Sequence, residues 1–270
     1  SVHNTLKLAR IRISKTGEFF SSVHCDSGIY VPVYAEQALA GAVFEIAAAE
    51  DITTADGTVR HAAGEVGDTI TTDESGSAVS KELYPGKYTV REIQAPGGTV
   101  LNTEPKTVEL TENADGEITE ALVSFTNSRQ KAAVAVKKQL EQNKDFGIGM
   151  DGEITSVTFG LYASEELTAA DGSVIPADGL MDLLTVNMNG TATCNADLPL
   201  GSYYLQELTT DEHYLVSQEK YPFTFAYAGQ DIPLVEITVN SVLEAAASEG
   251  YELRDRDIVA MTESIVARAQ

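Results

Sequence analysis

The chain has 270 residues, of which 43% are hydrophobic, and its formal net charge is −23. This length suits about two domains. The excess of 41 acidic over 18 basic residues argues against nucleic acid or an anionic membrane surface as the partner, because both recognise clustered lysine and arginine. No apolar run reaches membrane-spanning length, so membrane insertion is not expected.

Cysteine and histidine usage gives no sign of a cofactor or a metal. Cys25 and Cys194 fall in what we interpret as different domains, which predicts two free thiols and no disulfide framework. The four histidines are scattered and lack metal-binding spacing. The start of the sequence also lacks a signal-peptide pattern, and no LPxTG sorting motif is present.

The elements read as β-strands from the start of the chain. "LARIRIS" alternates apolar and polar residues, as a half-buried strand does. Residues 16–38 then form a long insertion, for which we expect a solvated hairpin with Pro32 at an edge. Further short strands follow as far as "ALVSFTN", separated by Asp-Gly and Pro-Gly turns. The pattern predicts an all-β fold with antiparallel sandwich domains.

A repeat with an offset of 115 residues divides the chain in two. Matched pairs include Phe44 with Phe159, Tyr88 with Tyr203, and Glu92 with Glu207. We therefore predict a first domain at 1–130, with the insertion at 16–38. A second, divergent or incomplete domain is predicted at 131–241.

The tail, residues 242–270, differs in composition from both repeats. Its apolar spacing predicts a short helix that begins near Asp255 or Asp257. The segment "LRDRDIVAMTESIVARAQ" resembles part of coenzyme F420-0:glutamate ligase domains. It is far too short to supply a ligase activity, so an amphipathic terminal helix is the preferred interpretation, and a fusion or a truncation is the alternative.

One carboxylate stands out on an apolar strand face. Glu92 follows Tyr88 and Val90 on the inward side of "GKYTVREI", where an unpaired charge would cost several kcal/mol. Lys15 ends the inward face of the first strand, and Asn127 ends that of the last. The alternation therefore predicts that a lysine, a glutamate and an asparagine meet in one core.

These three residue types can form a covalent bond. Burial favours the neutral lysine amine, which is a nucleophile. A protonated carboxyl can hydrogen-bond the asparagine amide and polarise its carbonyl, and attack on that carbon then expels ammonia and leaves an isopeptide bond. The alternative is a buried Lys–Glu ion pair with the asparagine as a hydrogen-bond partner.

The succession "RISKTG", "LAGAVFEI", "GKYTVREIQAPGG" and "VSFTN" resembles the SpaA/Cna B-type domains of Gram-positive surface proteins and pilins. The resemblance implies two tandem transthyretin-like (prealbumin-like) β-sandwiches. It also implies Lys15 and Asn127 as the crosslinked pair, with Glu92 as the catalytic residue.

The second copy fits this pattern less well. Its corresponding residues are Lys138, Glu207 as the catalytic glutamate, and Asn240 as the closing residue. "ELTTDEHY" lacks the Ala-Pro-x-Gly that follows Glu92. Asn240 also has the opposite parity to the apolar residues before it. Four interpretations stay open: the valines face outward, a bulge intervenes, Asn240 is a turn residue, or the last strand is missing.

The function that the resemblance implies is structural. We expect a stalk or pilin-like segment of a bacterial cell-surface protein, whose partners are other domains of the same protein or pilus. Its only chemistry would be one self-crosslinking turnover, so it would not be an enzyme. The alternative is an adhesin that binds a host matrix protein or a glycan through loops. Four aromatic residues of the insertion would serve such a role: Phe19, Phe20, Tyr30 and Tyr34.

Overall fold

The computed structural model describes residues 8–111, 119–229 and 232–241. These residues belong to two compact units. The first contains the chain up to Phe19 together with Tyr34–Gln130, and the second contains Phe20–Val33 and the chain from Lys131 onward. The helix predicted in 242–270 lies outside the described residues.

The first half of the chain forms strands throughout its described part. They are β1 (Ala9–Asp26), β2 (Ile29–Ala38), β3 (Val43–Ala48), β4 (Ile52–Thr53), β5 (Val59–His61), β6 (Val66–Thr71), β7 (Ser77–Val79), β8 (Gly86–Gln94), β9 (Lys106–Leu110) and β10 (Thr119–Asn127). The prediction of an all-β fold is confirmed here.

Two sheets enclose the core of the first unit. One is antiparallel, in the order β6-β3-β8-β9, and in the other β1 pairs with β10, β2 and β7. The β1–β10 pair is parallel, from Ala9 opposite Thr119 to Gly17 opposite Asn127. The expected antiparallel pattern therefore has one exception, which places the first and last strands side by side.

The core of this unit follows from the alternation seen in the sequence. Every second residue of β1, from Ala9 to Gly17, is buried, as the period of two requires of a strand with one solvated face. Ile11 and Ile13 pack in one cluster with Phe44, Val90 and other apolar side chains of the opposite sheet. Burial of these faces is the main source of stability of such a sandwich.

The second half of the chain forms nine strands within its described part. They are β11 (Ala132–Leu140), β12 (Thr158–Ala163), β13 (Leu167–Thr168), β14 (Val174–Ile175), β15 (Leu180–Thr185), β16 (Thr191–Thr193), β17 (Gly201–Thr209), β18 (Lys220–Phe225) and β19 (Ile232–Ser241). A short 3-10 helix covers Glu153–Ser156.

The second unit repeats the plan of the first. Its sheets have the orders β15-β12-β17-β18 and β16-β11-β19. The β11–β19 pair is again parallel, so this unit does have a closing strand, which the sequence had left in doubt.

The insertion forms one long hairpin, and its outer part is built into the second unit. Ser27 and Gly28 turn the chain with φ values of 52° and 84°, as a two-residue hairpin turn requires. Residues 20–33 belong to the second unit, where Phe20, Val23 and Tyr30 pack against the core. This differs from the solvated hairpin that we expected in the first domain. The apolar side chains of the hairpin pack instead against core residues of the second unit, which are distant in sequence.

Backbone hydrogen bonds fix the hairpin to the turn between β13 and β14. Ala170 and Asp171 donate to the carbonyl oxygens of Phe20 and Ser21, each over 3.1 Å. The hydroxyl of Ser173 accepts from the backbone of Val23 over 2.8 Å. Because Cys25 lies in this hairpin, both free cysteines belong to the second unit.

Replacing Phe20 by alanine should therefore destabilise the second unit. Phe20 is only partly buried, so we expect a loss of about 1–3 kcal/mol from the free energy of unfolding. Glu18→Ala is the matched control, because Glu18 is exposed on the same strand. Hydrogen exchange resolved by region would show faster exchange in β12 and β17 for Phe20→Ala. Unchanged exchange there would contradict the packing role of the hairpin.

Candidate functional site

Lys15, Glu92 and Asn127 meet inside the first unit. Lys15 and Asn127 come from the parallel pair β1 and β10, in which Lys15 lies opposite Phe125 and Asn127 lies two residues further on. Glu92 comes from β8 in the facing sheet. The three residues are at most 2% exposed, so the side chains bridge the two sheets in a dry interior.

The three side chains contact one another. Nζ of Lys15 lies 3.0 Å from Oε1 of Glu92 and donates a short hydrogen bond to Oδ1 of Asn127. Nδ2 of Asn127 donates to both carboxyl oxygens of Glu92, over 3.0 and 2.9 Å. A nucleophile, an acyl carbon and a proton carrier therefore share one buried cluster.

Local features of β8 hold Glu92 in this position. Phe44 of β3 pairs with Glu92, whereas Val43 pairs with Gln94, so the ladder has a bulge at Ile93. Such bulges turn a side chain relative to the rest of its strand. The backbone amide of Asn102 donates to Oε2 of Glu92 over 2.8 Å, which leaves Oε1 facing Lys15.

The environment of Lys15 makes its ammonium group easier to deprotonate than that of an ordinary lysine. Desolvation by burial lowers the pKa of Lys15 from its ordinary value of 10.5, and this effect outweighs the hydrogen bond and the attraction of Glu92, which act in the opposite direction. Its Nζ lies 5.8 Å from the ring centroid of Phe44 and 6.0 Å from that of Phe125. The aromatic walls exclude water, which would otherwise stabilise the ammonium form.

The orientation of the asparagine differs from our expectation. From the sequence we expected Glu92 to polarise the carbonyl group of Asn127, but Glu92 accepts from the amide nitrogen and Lys15 donates to the carbonyl oxygen. This orientation places the carboxyl group beside the nitrogen that would leave, where a proton is needed.

Lys106, which the sequence argument did not single out, adds a second cation near the cluster. Its Nζ donates to the carbonyl oxygen of Ser124 over 2.6 Å and lies 5.0 Å from the ring centroid of Phe125. The positive charge of Lys106 further lowers the pKa of Lys15, because two neighbouring cations repel each other.

Removing this charge should slow the predicted crosslinking of Lys15 to Asn127. Lys106→Gln would raise the pKa of Lys15 toward its ordinary value, which leaves less neutral amine, and we expect the crosslinking rate to fall about two- to fivefold. Lys81→Gln, the same substitution at an exposed site of this unit, is the control. Intact mass followed during cell-free synthesis would measure both rates. Equal rates would show that Lys106 has no electrostatic role.

The second unit brings together Lys138 and Glu207 in the same way. Nζ of Lys138 lies 2.8 Å from Oε1 of Glu207, and both side chains are fully buried. The backbone amide of Ser217 donates to Oε2 of Glu207 over 2.9 Å, as Asn102 does for Glu92. Burial also lowers the pKa of Lys138.

The strand register places Asn240 differently from Asn127. Lys138 lies opposite Val239, and Asn240 lies opposite Gln139. Two residues beyond Val239, at the position that corresponds to Asn127, the chain has Ser241. The register therefore argues against Asn240 as the partner of Lys138, and a crosslink between them stays an untested prediction.

A family model described as the SpaA prealbumin-like fold domain matches residues 33–123 and 148–241. The chain belongs to this family. One matched stretch lies in each of the two repeat copies. The first includes Glu92 and the second includes Glu207, but neither includes Lys15 or Asn127. The fold prediction of two prealbumin-like domains is thereby confirmed.

Three comparisons accompany this SpaA assignment. The trypsin-resistant surface T6 protein of Streptococcus pyogenes serotype M6 is 33% identical over 78 residues, which are 29% of this chain and 14% of that protein. The Bacillus anthracis TIE protein is 20% identical, with a TM-score of 0.53, over 87% of this chain and 34% of its own. GBS52, the minor pilin of Streptococcus agalactiae, is 15% identical, with a TM-score of 0.30, over 86% of this chain and 95% of its own. The chain thus spans about a seventh of the T6 protein and a third of the TIE protein.

The aromatic residues that we considered for ligand binding in these SpaA domains make contacts within the fold. Phe20 and Tyr30 pack on the core of the second unit, and the guanidinium of Arg129 lies 3.7 Å from the ring centroid of Tyr34. All four aromatic residues of the hairpin are at least partly buried. Within the described part of the chain there is no cluster of three or more potential metal ligands, and no helix there is long and apolar enough to span a membrane.

Proposed function

We propose that this chain is a load-bearing segment of a bacterial surface protein or pilus, in which the first SpaA domain ties its first strand to its last by an isopeptide bond between Lys15 and Asn127. The observation that carries the proposal is the mutual contact of Lys15, Glu92 and Asn127 in a buried cluster. Surface location and pilus partners are part of the proposal, and the similarity to the T6 surface protein supports them.

The reaction is an acyl transfer within one chain. Nζ of Lys15, as the neutral amine, attacks Cγ of Asn127, and Glu92 takes a proton from Nζ and delivers a proton to Nδ2. The Cγ–Nδ2 bond then breaks, and ammonia leaves. Glu92 ends in the protonation state in which it began, so it is a catalyst and is not consumed.

The position of the bond suits a mechanical role. Because β1 and β10 are parallel, tension applied before Ala9 and after Asn127 shears the hydrogen bonds between these two strands. A bond from Lys15 to Asn127 would carry that tension along residues 9–15 and directly into Asn127. The 112-residue separation of the two residues would be bypassed, and the rest of the domain would stay unloaded.

Peptide mapping tests the bond itself. Trypsin does not cleave after an acylated lysine, so a digest of the denatured chain should contain a branched peptide in which Lys15 is joined to Asn127. Its mass should be about 17 Da below the sum of peptide 13–60, uncleaved at Lys15, and peptide 107–129, because one ammonia is lost. Cleavage after Lys15, with recovery of peptide 107–129 in unlinked form, would reject the proposal.

A further inference from the structure

We propose that Thr99 is a fourth member of the crosslinking site. Its hydroxyl oxygen accepts a hydrogen bond from Nδ2 of Asn127, the nitrogen that leaves as ammonia. This inference rests on the proposed crosslinking reaction. Oγ1 of Thr99 lies 3.4 Å from Nδ2 of Asn127, and Thr99 is 2% exposed. The leaving nitrogen therefore has the carboxyl group of Glu92 and this hydroxyl as its acceptors among the described contacts.

The hydroxyl of Thr99 is oriented as an acceptor. A threonine hydroxyl has a single hydrogen to donate, and Oγ1 donates it to the carbonyl oxygen of Pro96 over 2.9 Å. The lone pairs of Oγ1 are then available to the N–H of Asn127. A contact of 3.4 Å is long for a hydrogen bond in the amide, and we expect it to shorten as Nδ2 becomes tetrahedral and gains a proton.

Backbone pairing holds Thr99 beside the end of β10. Thr99 forms an isolated antiparallel bridge with Arg129. On either side of it, Val100 donates to the carbonyl oxygen of Ser128 over 2.9 Å, and Gln130 donates to that of Gly98 over 3.0 Å. The turn before Thr99 needs Gly98, whose φ is 84°. The hydroxyl is thus positioned by the same chain segment that follows Asn127.

This arrangement fixes which end of the Asn127 amide faces Lys15. The NH2 group has two hydrogens and can satisfy both Glu92 and Thr99. In the flipped amide the carbonyl oxygen would face two acceptors, and the NH2 group would face the amine of Lys15. Thr99 therefore stabilises the orientation that brings the leaving nitrogen to its proton donor, and it stays in contact with that nitrogen as the C–N bond breaks.

The second unit offers a contrast at the corresponding position. Tyr214 lies 115 residues after Thr99, and its hydroxyl donates to the carbonyl oxygen of Glu141 over 2.7 Å. The fold therefore does not require a threonine at this position, since Tyr214 occupies it in the second unit and its hydroxyl binds a different group. We attribute the threonine of the first unit to its contact with Asn127.

The test measures the rate of ammonia loss in Thr99 variants of the full chain. Newly made protein from cell-free synthesis would be quenched in concentrated urea at intervals, and the fraction that has lost about 17 Da would be read from intact mass. We expect Thr99→Val to slow this step about tenfold, and Thr99→Ser, which keeps the hydroxyl, to react at close to the unaltered rate. Thr72→Val is the control, because Thr72 is a buried threonine whose hydroxyl is bonded to the carbonyl oxygen of Leu39.

Each outcome separates this inference from the reaction on which it rests. If the unaltered chain loses no ammonia, the crosslinking proposal fails and the role of Thr99 fails with it. If the unaltered chain reacts and Thr99→Val reacts equally fast, or if Thr99→Ser is as slow as Thr99→Val, only the role of Thr99 is rejected. Should Thr99→Val fail to fold by near-ultraviolet circular dichroism, Thr99→Ala replaces it, because it removes the hydroxyl without adding a methyl group to the polar cluster.

Discussion

Glu92→Gln should abolish crosslinking and strongly destabilise the first domain. The glutamine cannot carry a proton from Lys15 to the leaving nitrogen, so the mass deficit of about 17 Da should disappear. Loss of a tie that closes a loop of 112 residues costs about 4–5 kcal/mol by analogy with a disulfide of that span. The melting temperature of this domain should fall by about 15–30 °C, and trypsin should then cleave it readily.

Asn127→Ala is the matched control for this variant. It also prevents the bond, but it leaves the contact between Lys15 and Glu92 over 3.0 Å in place. Glu92→Gln should therefore be the less stable of the two, because it leaves a buried lysine without its counter-charge. A Glu92→Gln protein that still loses ammonia would show that another group transfers the protons.

Glu207→Gln should have a large effect of a different kind in the second domain. Lys138 and Glu207 are fully buried and 2.8 Å apart, and removal of one partner from a buried pair costs about 3–5 kcal/mol. We expect this loss in the free energy of unfolding of the second domain, with the ammonia loss of the first domain unchanged. Calorimetry and intact mass on the same sample measure the two effects together.

A double variant separates the lost pairing from general damage to the core. Lys138→Met combined with Glu207→Leu replaces the pair by apolar side chains of similar size, which is often neutral for stability. The double variant should therefore recover most of the stability that Glu207→Gln loses. If Glu207→Gln unfolds within about 0.5 kcal/mol of the unaltered chain, the buried pair has no structural role in this domain.

The sequence was sufficient to predict the buried position of those residues whose placement depends on strand alternation. Lys15, Glu92 and Asn127 each end an apolar strand face, and the period of two places all three inside the sandwich. The constant offset of 115 residues then carried Glu92 to Glu207. Asn240 has no such support, because its parity already differed, and the register of β19 places it opposite Gln139.

Other features depend on contacts that no local pattern contains. We expected the hairpin of residues 20–33 to be a solvated insertion, yet Phe20 and Tyr30 pack against the core of the second unit. The amide of Asn102 acts through its backbone, which a side-chain pattern does not show. Thr99 follows the Ala-Pro-Gly-Gly turn, and its distance from Asn127 becomes apparent only when the turn is folded beside β10.

The intact mass of the unaltered, denatured chain tests the central claim most directly. We predict a mass about 17 Da below that of the sequence, since formation of the bond between Lys15 and Asn127 releases one ammonia. A deficit twice as large would mean that the second domain also reacts, against the register of its last strand. A mass equal to that of the sequence would contradict the account, because Lys15, Glu92 and Asn127 would then be only a buried ion pair with a hydrogen-bonded amide.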